Sequence, residues 1–122
     1  MQSEKISSAQ LRADLSQFTG TETWYRHSLQ KSFLYTEGVQ YFAEHVGCYW
    51  FLDIIATEIF QLQKQWPFLV IELDVVGTKA QIRTTDGNEN QVWTRSVSFT
   101  DCPEGRFKFY LVDNICLLPS EY

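Results

Sequence analysis

The residues most able to do chemistry lie close together in one segment, Trp24-Tyr25-Arg26-His27. A histidine beside an arginine can bind an anion or act as a general acid or base, because imidazole titrates near neutral pH. The same pattern also arises when the aromatic rings pack in a core and the polar pair hydrogen-bonds to a neighbouring element. The sequence leaves both interpretations open.

Asp53 is a second candidate, because it interrupts the apolar stretch between residues 49 and 60. It shares a helical stripe with Thr57, which lies four residues further on. If this stripe faces solvent, Asp53 needs no partner. If it faces a pocket, the carboxylate must be paired, and Arg26 or His27 is the natural partner.

Metal binding and cysteine chemistry receive little support from the spacing of the residues. The chain has two histidines and three cysteines, with no CxxC or HExxH pattern among them. Asp101 and Cys102 follow a predicted strand, but a Cys–His–Asp nucleophile also needs a histidine that the fold brings close. No GxSxG, Walker or Rossmann pattern occurs. We therefore predict no metal, no cofactor and no assignable catalytic residue.

Trp93 is a further candidate for binding, since it lies on a predicted strand with mostly polar neighbours. An exposed tryptophan would indicate a contact surface, because aromatic residues anchor protein interfaces. A buried tryptophan would be ordinary core packing. Taken together, the candidate binding residues are Trp24, Tyr25, Arg26, His27, Tyr35, Asp53 and Trp93.

The composition predicts one soluble domain over residues 1–122. Hydrophobic residues make up 44% of the chain and aromatic residues 16%, which is enough for a sizeable core. The formal net charge is −5 and the basic residues are scattered, so the sequence lacks a basic footprint for direct contact with nucleic acid. An acidic protein can still bind a basic partner.

The cysteines and the hydropathy pattern predict the compartment. Three cysteines are an odd number without disulfide spacing, which favours a reducing compartment. The polar start of the sequence lacks the apolar segment of a signal peptide, and no apolar stretch reaches the roughly 20 residues that span a bilayer. We therefore expect a cytoplasmic protein that does not enter a membrane.

Hydrophobic periodicity and capping residues predict three helices in the first half of the chain, over residues 8–17, 37–46 and 49–64. Ser7 and Gln10 form a capping box for the first helix. Thr36 is a good N-cap for the second, and Gly47 fits a left-handed C-cap at its end. Residues 22–35 are expected to form an ordered loop or one irregular strand.

After Pro67 the hydrophobic period changes from 3.6 to 2, which predicts strands joined by short turns. The expected strands cover residues 69–75, 80–82, 92–99, 107–111 and 115–118. Helices that precede strands, instead of alternating with them, are typical of the α+β class. The predicted fold is therefore about three N-terminal helices packed on a C-terminal antiparallel sheet, a meander of four to five strands.

Six segments stand out in order along the chain: Phe18-Thr19-Gly20, Trp24-Tyr25-Arg26-His27, Tyr35-Thr36-Glu37-Gly38-Val39, Tyr49-Trp50 with Asp53, Thr100-Asp101-Cys102-Pro103 and Leu118-Pro119-Ser120-Glu121-Tyr122. Together they resemble the uncharacterised bacterial family DUF6876 over nearly the whole chain. The resemblance implies an accessory protein of bacteria, plasmids or phages, with no established activity. The family pattern favours Asp-Phe-Pro where this chain has Asp101-Cys102-Pro103, which further weakens the case for Cys102 as a nucleophile.

The residues that carry the resemblance lead to one structural and several functional expectations. We expect Trp24–His27, Tyr35–Thr36 and Asp53 to meet in one network between the loop and the helices. The expected function is that of a small acidic non-enzymatic interaction protein with a protein partner, such as a mobile-element or phage inhibitor of a host defence complex. The alternatives are a small-molecule-binding protein or small enzyme with a pocket of Arg26, His27 and Asp53, and a homodimer with an exposed sheet face.

Overall fold

A seven-stranded sheet organises the chain in the computed structural model, which describes residues 7–20 and 23–122. The elements in chain order are α1 (Ser8–Leu15), β1 (Tyr25–Arg26), β2 (Leu34–Tyr35), α2 (Glu37–Val46), α3 (Tyr49–Ile54), β3 (Phe68–Val76), β4 (Lys79–Thr85), β5 (Gln91–Val97), β6 (Gly105–Val112) and β7 (Ile115–Leu117). The helix α3 continues as a π-helical segment and a 3₁₀ turn, and a further 3₁₀ turn follows β7. The α+β class is confirmed.

The order of the strands differs from the predicted meander. The sheet runs β1-β2-β7-β6-β3-β4-β5, and all neighbours are antiparallel except β2 and β7. The strands β3, β4 and β5 form a meander, but β6 returns to the other side of β3. The predicted number of four to five strands and their simple order are therefore wrong. The strand β5 lies at one edge of the sheet. Its mostly polar sequence suits this position, because an edge strand tolerates polar residues that a central strand cannot.

The expectation that the helices all precede the sheet is also wrong. The strands β1 and β2 lie between α1 and α2, and the 3₁₀ turn Pro119–Glu121 comes after the last strand. The segment over residues 22–35 was expected to be a loop or one irregular strand, and its described part contains both short strands. Each has two residues, which is too short to produce a hydrophobic period.

The predicted capping positions are confirmed, but the capping box of Ser7 and Gln10 forms only in part, because the Gln10 amide donates to Asp14 instead of returning to Ser7. The hydroxyl of Ser7 accepts a hydrogen bond from the backbone N–H of Gln10 at 3.1 Å. The hydroxyl of Thr36 accepts one from Val39 at 3.4 Å. Gly47 ends α2 with φ +67°, a left-handed conformation that glycine adopts without steric penalty.

The long helix predicted over residues 49–64 is helical throughout but not regular. Its α-helical part ends at Ile54, and a π-helical segment, Ile55–Ile59, follows. Within this segment the hydroxyl of Thr57 donates to the carbonyl of Asp53 at 2.8 Å. Such a bond from a side chain to the preceding turn competes with the backbone ladder and bends helices.

In the part of the chain that the structure describes, α2 and α3 pack on only one face of the sheet. Alternate residues of β3, from Leu69 to Val75, are fully buried, while those between them stay partly exposed. On the buried side, Phe42 of α2 and Phe51 of α3 pack against Phe109 of β6, with ring centroids 5.0 and 5.1 Å apart. We call this side the covered face and the other side the open face.

The end of the chain closes onto the start of α2. The carboxylate of Glu121 accepts hydrogen bonds from the hydroxyl of Thr36 at 2.6 Å and from the N–H of Gly38 at 3.1 Å. It also accepts the N–H of Leu118 at 2.9 Å. A carboxylate stabilises a helix N-terminus because the free N–H groups there carry partial positive charge. This contact joins two sequence segments that lie more than 80 positions apart.

Replacing Gly38 with alanine should destabilise the protein, although alanine normally favours a helix. A Cβ atom at this position would lie 2.5 Å from Leu118 Cδ1 and 2.9 Å from Glu121 Oε1. We expect Gly38→Ala to lower the free energy of unfolding by about 1–3 kcal/mol in urea denaturation. The control is Gly20→Ala, which meets no atom within 4 Å and should shift stability by less than about 1 kcal/mol. Equal stability of Gly38→Ala and wild type would contradict this packing.

Candidate functional site

His27 is almost fully buried, with 5% of its surface exposed, and both of its ring nitrogens are occupied. Its Nδ1 atom accepts hydrogen bonds from the backbone N–H groups of Leu29 and Gln30, each at 3.1 Å. Its Nε2 atom lies 2.8 Å from Oδ1 of Asp53. Because Nδ1 accepts, the ring proton is on Nε2, which donates to the carboxylate. The tautomer of His27 is therefore fixed by its contacts.

The same contacts make His27 the anchor of the loop between β1 and β2. Its backbone N–H donates to the carbonyl of Phe33 at 3.0 Å, and its ring stacks on the Phe33 ring at 5.7 Å. A general acid or base needs a nitrogen that faces a substrate. Both ring nitrogens of His27 are instead hydrogen-bonded to other groups of the protein. This geometry favours a structural role for the histidine over a catalytic one.

Arg26 does not join His27 and Asp53. The strand β1 places adjacent residues on opposite faces, and Arg26 pairs with Leu34 on the open face. Its side chain is exposed, and no carboxylate of the described residues forms an ion pair with it. Asp53 lies on the covered side with 62% of its side chain exposed, and its partner is His27. The expected pocket of an arginine, a histidine and an aspartate does not form.

The other expected members of the network are likewise divided between the two faces of the sheet. On the covered face, the rings of Tyr25 and Tyr35 stack 5.7 Å apart. Burial, followed by the nearby charges of Tyr25 and Asp53, raises the pKa of the Tyr35 phenol. Trp24 instead lies on the open side with 49% of its surface exposed. The predicted network is thus realised in part, around His27, and excludes Trp24 and Arg26.

Trp93 lies far from these residues. It is on β5, at the opposite edge of the sheet from β1. It pairs with Thr84, a buried residue of the covered face, and packs partly buried against the core. Trp93 is therefore not brought together with the other candidates.

The cysteines are buried and poorly suited to nucleophilic chemistry. Cys48, Cys102 and Cys116 are free thiols with at most 1% of their surface exposed. A hydrogen bond with the Cys102 thiol, together with burial, raises the pKa of Cys48, and burial raises that of Cys116. A reactive cysteine needs the opposite, an accessible thiolate. Among the described residues, no group of three or more His, Cys, Asp or Glu side chains could hold a metal ion.

The open face carries a cluster of partly exposed apolar side chains that none of the described helices covers, which we call the apolar patch. The rings of Phe68, Tyr110 and Tyr122 pack against one another, with centroids 5.1 to 5.5 Å apart. Beside them, Trp24 and Tyr122 line a cleft of about 350 Å³. The members of the patch are Trp24, Phe68, Tyr110, Val112, Ile115, Leu117 and Tyr122.

Charges of both signs border this patch. Two ion pairs lie on the open face, Arg83 with Glu72 and Arg106 with Asp74. The strand residues of this face include more cations than carboxylates, although the whole chain has a net charge of −5. The cations are Arg26, Lys79, Arg83, Arg106 and Lys108, and the carboxylates are Glu72 and Asp74. The cations Lys79 and Arg106 lie at the end of the sheet away from Phe68. The cleft beside Trp24 and Tyr122 is instead lined by the carboxylates of Asp113 and Glu121.

Sequence reasoning missed both the apolar patch and the carboxylate of Glu121. A signal for the patch exists in β3, where Phe68 and Val70 are apolar on the face that carries Glu72 and Asp74 further along. Glu121 has no comparable local signal, because its partners lie more than 80 positions away.

Comparison with known proteins identifies the family. A model of the family described as "Family of unknown function (DUF6876)" matches residues 9–122, so the chain belongs to this family. No curated protein and no solved structure matches the chain. In the described part of the chain, no helix is long and apolar enough to cross a membrane.

A double-mutant cycle tests the role of His27. We expect His27→Ala to lower the free energy of unfolding by about 2–3 kcal/mol, because two backbone N–H groups lose their acceptor. His27→Asn should recover part of this loss, since its amide oxygen can replace Nδ1 as the acceptor. The coupling energy between His27 and Asp53 should be about 0.5–1.5 kcal/mol, a value for a partly exposed hydrogen bond.

Arg26 provides the matched control for this cycle, because it neighbours His27 in sequence but faces the other side of the sheet. The coupling energy between Arg26 and Asp53 should lie within the additive range, below about 0.5 kcal/mol. Strong coupling of Arg26 with Asp53, or none of His27 with Asp53, would contradict the observed arrangement.

Thiol labelling tests the burial of the cysteines. In the native protein at mildly alkaline pH, we expect none of the three cysteines to react with DTNB within minutes, because they are buried and two have raised pKa values. All should react in guanidinium chloride. A native thiol that reacts as fast as free cysteine would identify an accessible thiolate and reopen the nucleophile hypothesis.

Proposed function

We propose that this member of the DUF6876 family is a non-enzymatic interaction protein that binds a protein partner through the apolar patch. The observation that carries the proposal is the uncovered sheet face, on which seven apolar side chains stay partly exposed around the Phe68, Tyr110 and Tyr122 rings. Exposed apolar clusters with a polar rim mark sites of protein interaction.

The residue types in the patch suit this function. Tryptophan and tyrosine dominate binding energy at interfaces, because their large rings bury much area with few rotatable bonds. Trp24 and Tyr122 are 49% and 71% exposed and line one cleft, so they are the expected anchors. A partner side chain in that cleft would contact both rings.

The charges bordering the patch constrain the chemistry of the partner. The cleft beside Trp24 and Tyr122 is lined by two carboxylates, and one of them, Asp113, forms no ion pair with any described residue. Carboxylates attract basic groups across an interface. We therefore infer a partner surface with exposed apolar side chains and a basic residue that faces this cleft.

The alternative, a small-molecule site or enzyme built from Arg26, His27 and Asp53, receives less support. These residues do not converge on one cavity, and both ring nitrogens of His27 hold protein atoms. A role as a mobile-element or phage inhibitor of a host complex, and a cytoplasmic location, stay predictions within the proposal.

Binding to a purified partner tests the proposal. The full tagged chain is used to isolate a partner, and the dissociation constant is then measured with purified components. We expect the double substitution Trp24→Ala/Tyr122→Ala to weaken binding by about thirtyfold or more, the effect of losing interface anchors worth about 2 kcal/mol.

Tyr49→Ala is the matched control, because Tyr49 is also a partly exposed aromatic residue but lies on α3, away from the open face. The affinity of the Tyr49→Ala variant for the partner should equal that of the wild-type protein. Equal affinity of the double variant would exclude the patch as the docking surface. If light scattering instead finds a dimer that the double variant abolishes, the occupant is a second copy of this chain and the proposed partner is wrong.

A further inference from the structure

A second concave site lies on the open face next to the apolar patch. This cleft of about 430 Å³ is bounded below by β3, β4 and β6 and on one side by the turn between β4 and β5. Its volume falls within the range typical of small-molecule sites. The rings of Phe68 and Tyr110 form an apolar wall, and charged side chains line the remainder.

Four charged side chains line this cleft, and only two of them form an ion pair within the protein. Glu72 lies between two cations in the sheet register, opposite Arg83 on β4 and Lys108 on β6. The Nε and Nη2 atoms of Arg83 both donate to Glu72, so these two charges satisfy each other. Neither Lys108 nor Glu89 forms an ion pair with any residue that the structure describes. One cation and one carboxylate therefore remain available.

These two charges lie on different elements. Lys108 is on β6 in the sheet, whereas Glu89 is on the turn that borders the cleft. Both line the same cleft, yet they are too far apart to pair with each other. A ligand that satisfied both would need an anionic group and a cationic group at separate positions.

The turn that carries Glu89 is held in place by the protein. The carboxylate of Asp86 accepts hydrogen bonds from the N–H groups of Asn88 and Asn90, at 2.8 and 3.2 Å. Gly87 packs so closely on Phe68 that a Cβ atom would lie 3.2 Å from the ring. Glu89 itself has φ +69°, which few residues adopt unless the surroundings impose it. The backbone that carries Glu89 is thus fixed before any ligand binds, which lowers the entropic cost of binding.

We propose that this cleft binds a free amino acid with an aromatic or large apolar side chain. The α-carboxylate would contact Lys108, the α-ammonium would contact Glu89, and the side chain would pack on Phe68 and Tyr110. This pairing satisfies the two unpaired charges and covers the apolar wall in one molecule. It requires no protein partner, so it goes beyond the interaction proposed above. The two sites share Phe68 and Tyr110, but Lys108 and Glu89 lie outside the patch, so the two proposals can fail separately.

Three fluorinated probes test the proposal by ¹⁹F NMR titration of the full chain. 4-Fluorophenylalanine carries both charges, 3-(4-fluorophenyl)propanoate lacks the ammonium, and 2-(4-fluorophenyl)ethylamine lacks the carboxylate. We expect the amino acid to bind about two- to fivefold more tightly than either analogue, as the loss of one exposed charge pair implies. Equal affinities for all three, or no binding of the amino acid at millimolar concentration, would overturn the proposal.

Two variants test which charged group of the ligand Lys108 and Glu89 each contact. Lys108→Gln should remove the preference over the amine and keep the preference over the acid, while Glu89→Gln should do the reverse. Lys79→Gln is the control, because Lys79 is an open-face lysine outside this cleft and should leave all three affinities unchanged. If Lys79→Gln changes the preferences as Lys108→Gln does, the probes report general surface charge, and the assigned site is wrong.

Discussion

A β-sheet has two faces, and the helices of this chain cover only one of them. Every second residue of β3, from Leu69 to Val75, is buried under α2 and α3, and this packing supplies the core. Because side chains alternate strictly along a strand, the same register that buries one row must present the other row to solvent. The open face, with its apolar patch and its cleft, follows directly from this constraint.

Alternation also explains which parts of the candidate site the sequence could predict. Asp53 was expected to pair with Arg26 or His27, and it does contact His27. The expectation that Arg26 would join them failed because neighbours on a strand point to opposite faces. That rule could be applied only once β1 was known to be a strand, and two residues give no period from which to recognise one.

The fold was predictable where a signal is local and unpredictable where it depends on distant partners. Helix caps at Thr36 and Gly47 and the period-2 pattern after Pro67 gave the α+β class. The pairing of β6 with β3, and the parallel pairing of β2 with β7, are choices among distant segments. The contacts of Glu121 with α2 are of the same kind, since a carboxylate carries no local indication of the helix that it caps.

The two contacts that hold distant segments together also place the aromatic residues of the open face. His27 fixes the loop after β1, and Trp24 lies just before the same strand on the opposite side of the sheet. Glu121 is fixed at α2, and Tyr122 follows it directly and packs on Phe68 and Tyr110. In both cases a hydrogen-bonded polar side chain sets the position of an exposed ring a few residues away. Two of the segments that resemble the family therefore combine a residue that stabilises the fold with a residue of the proposed binding surface, because a residue that fixes the backbone also fixes where its neighbours point.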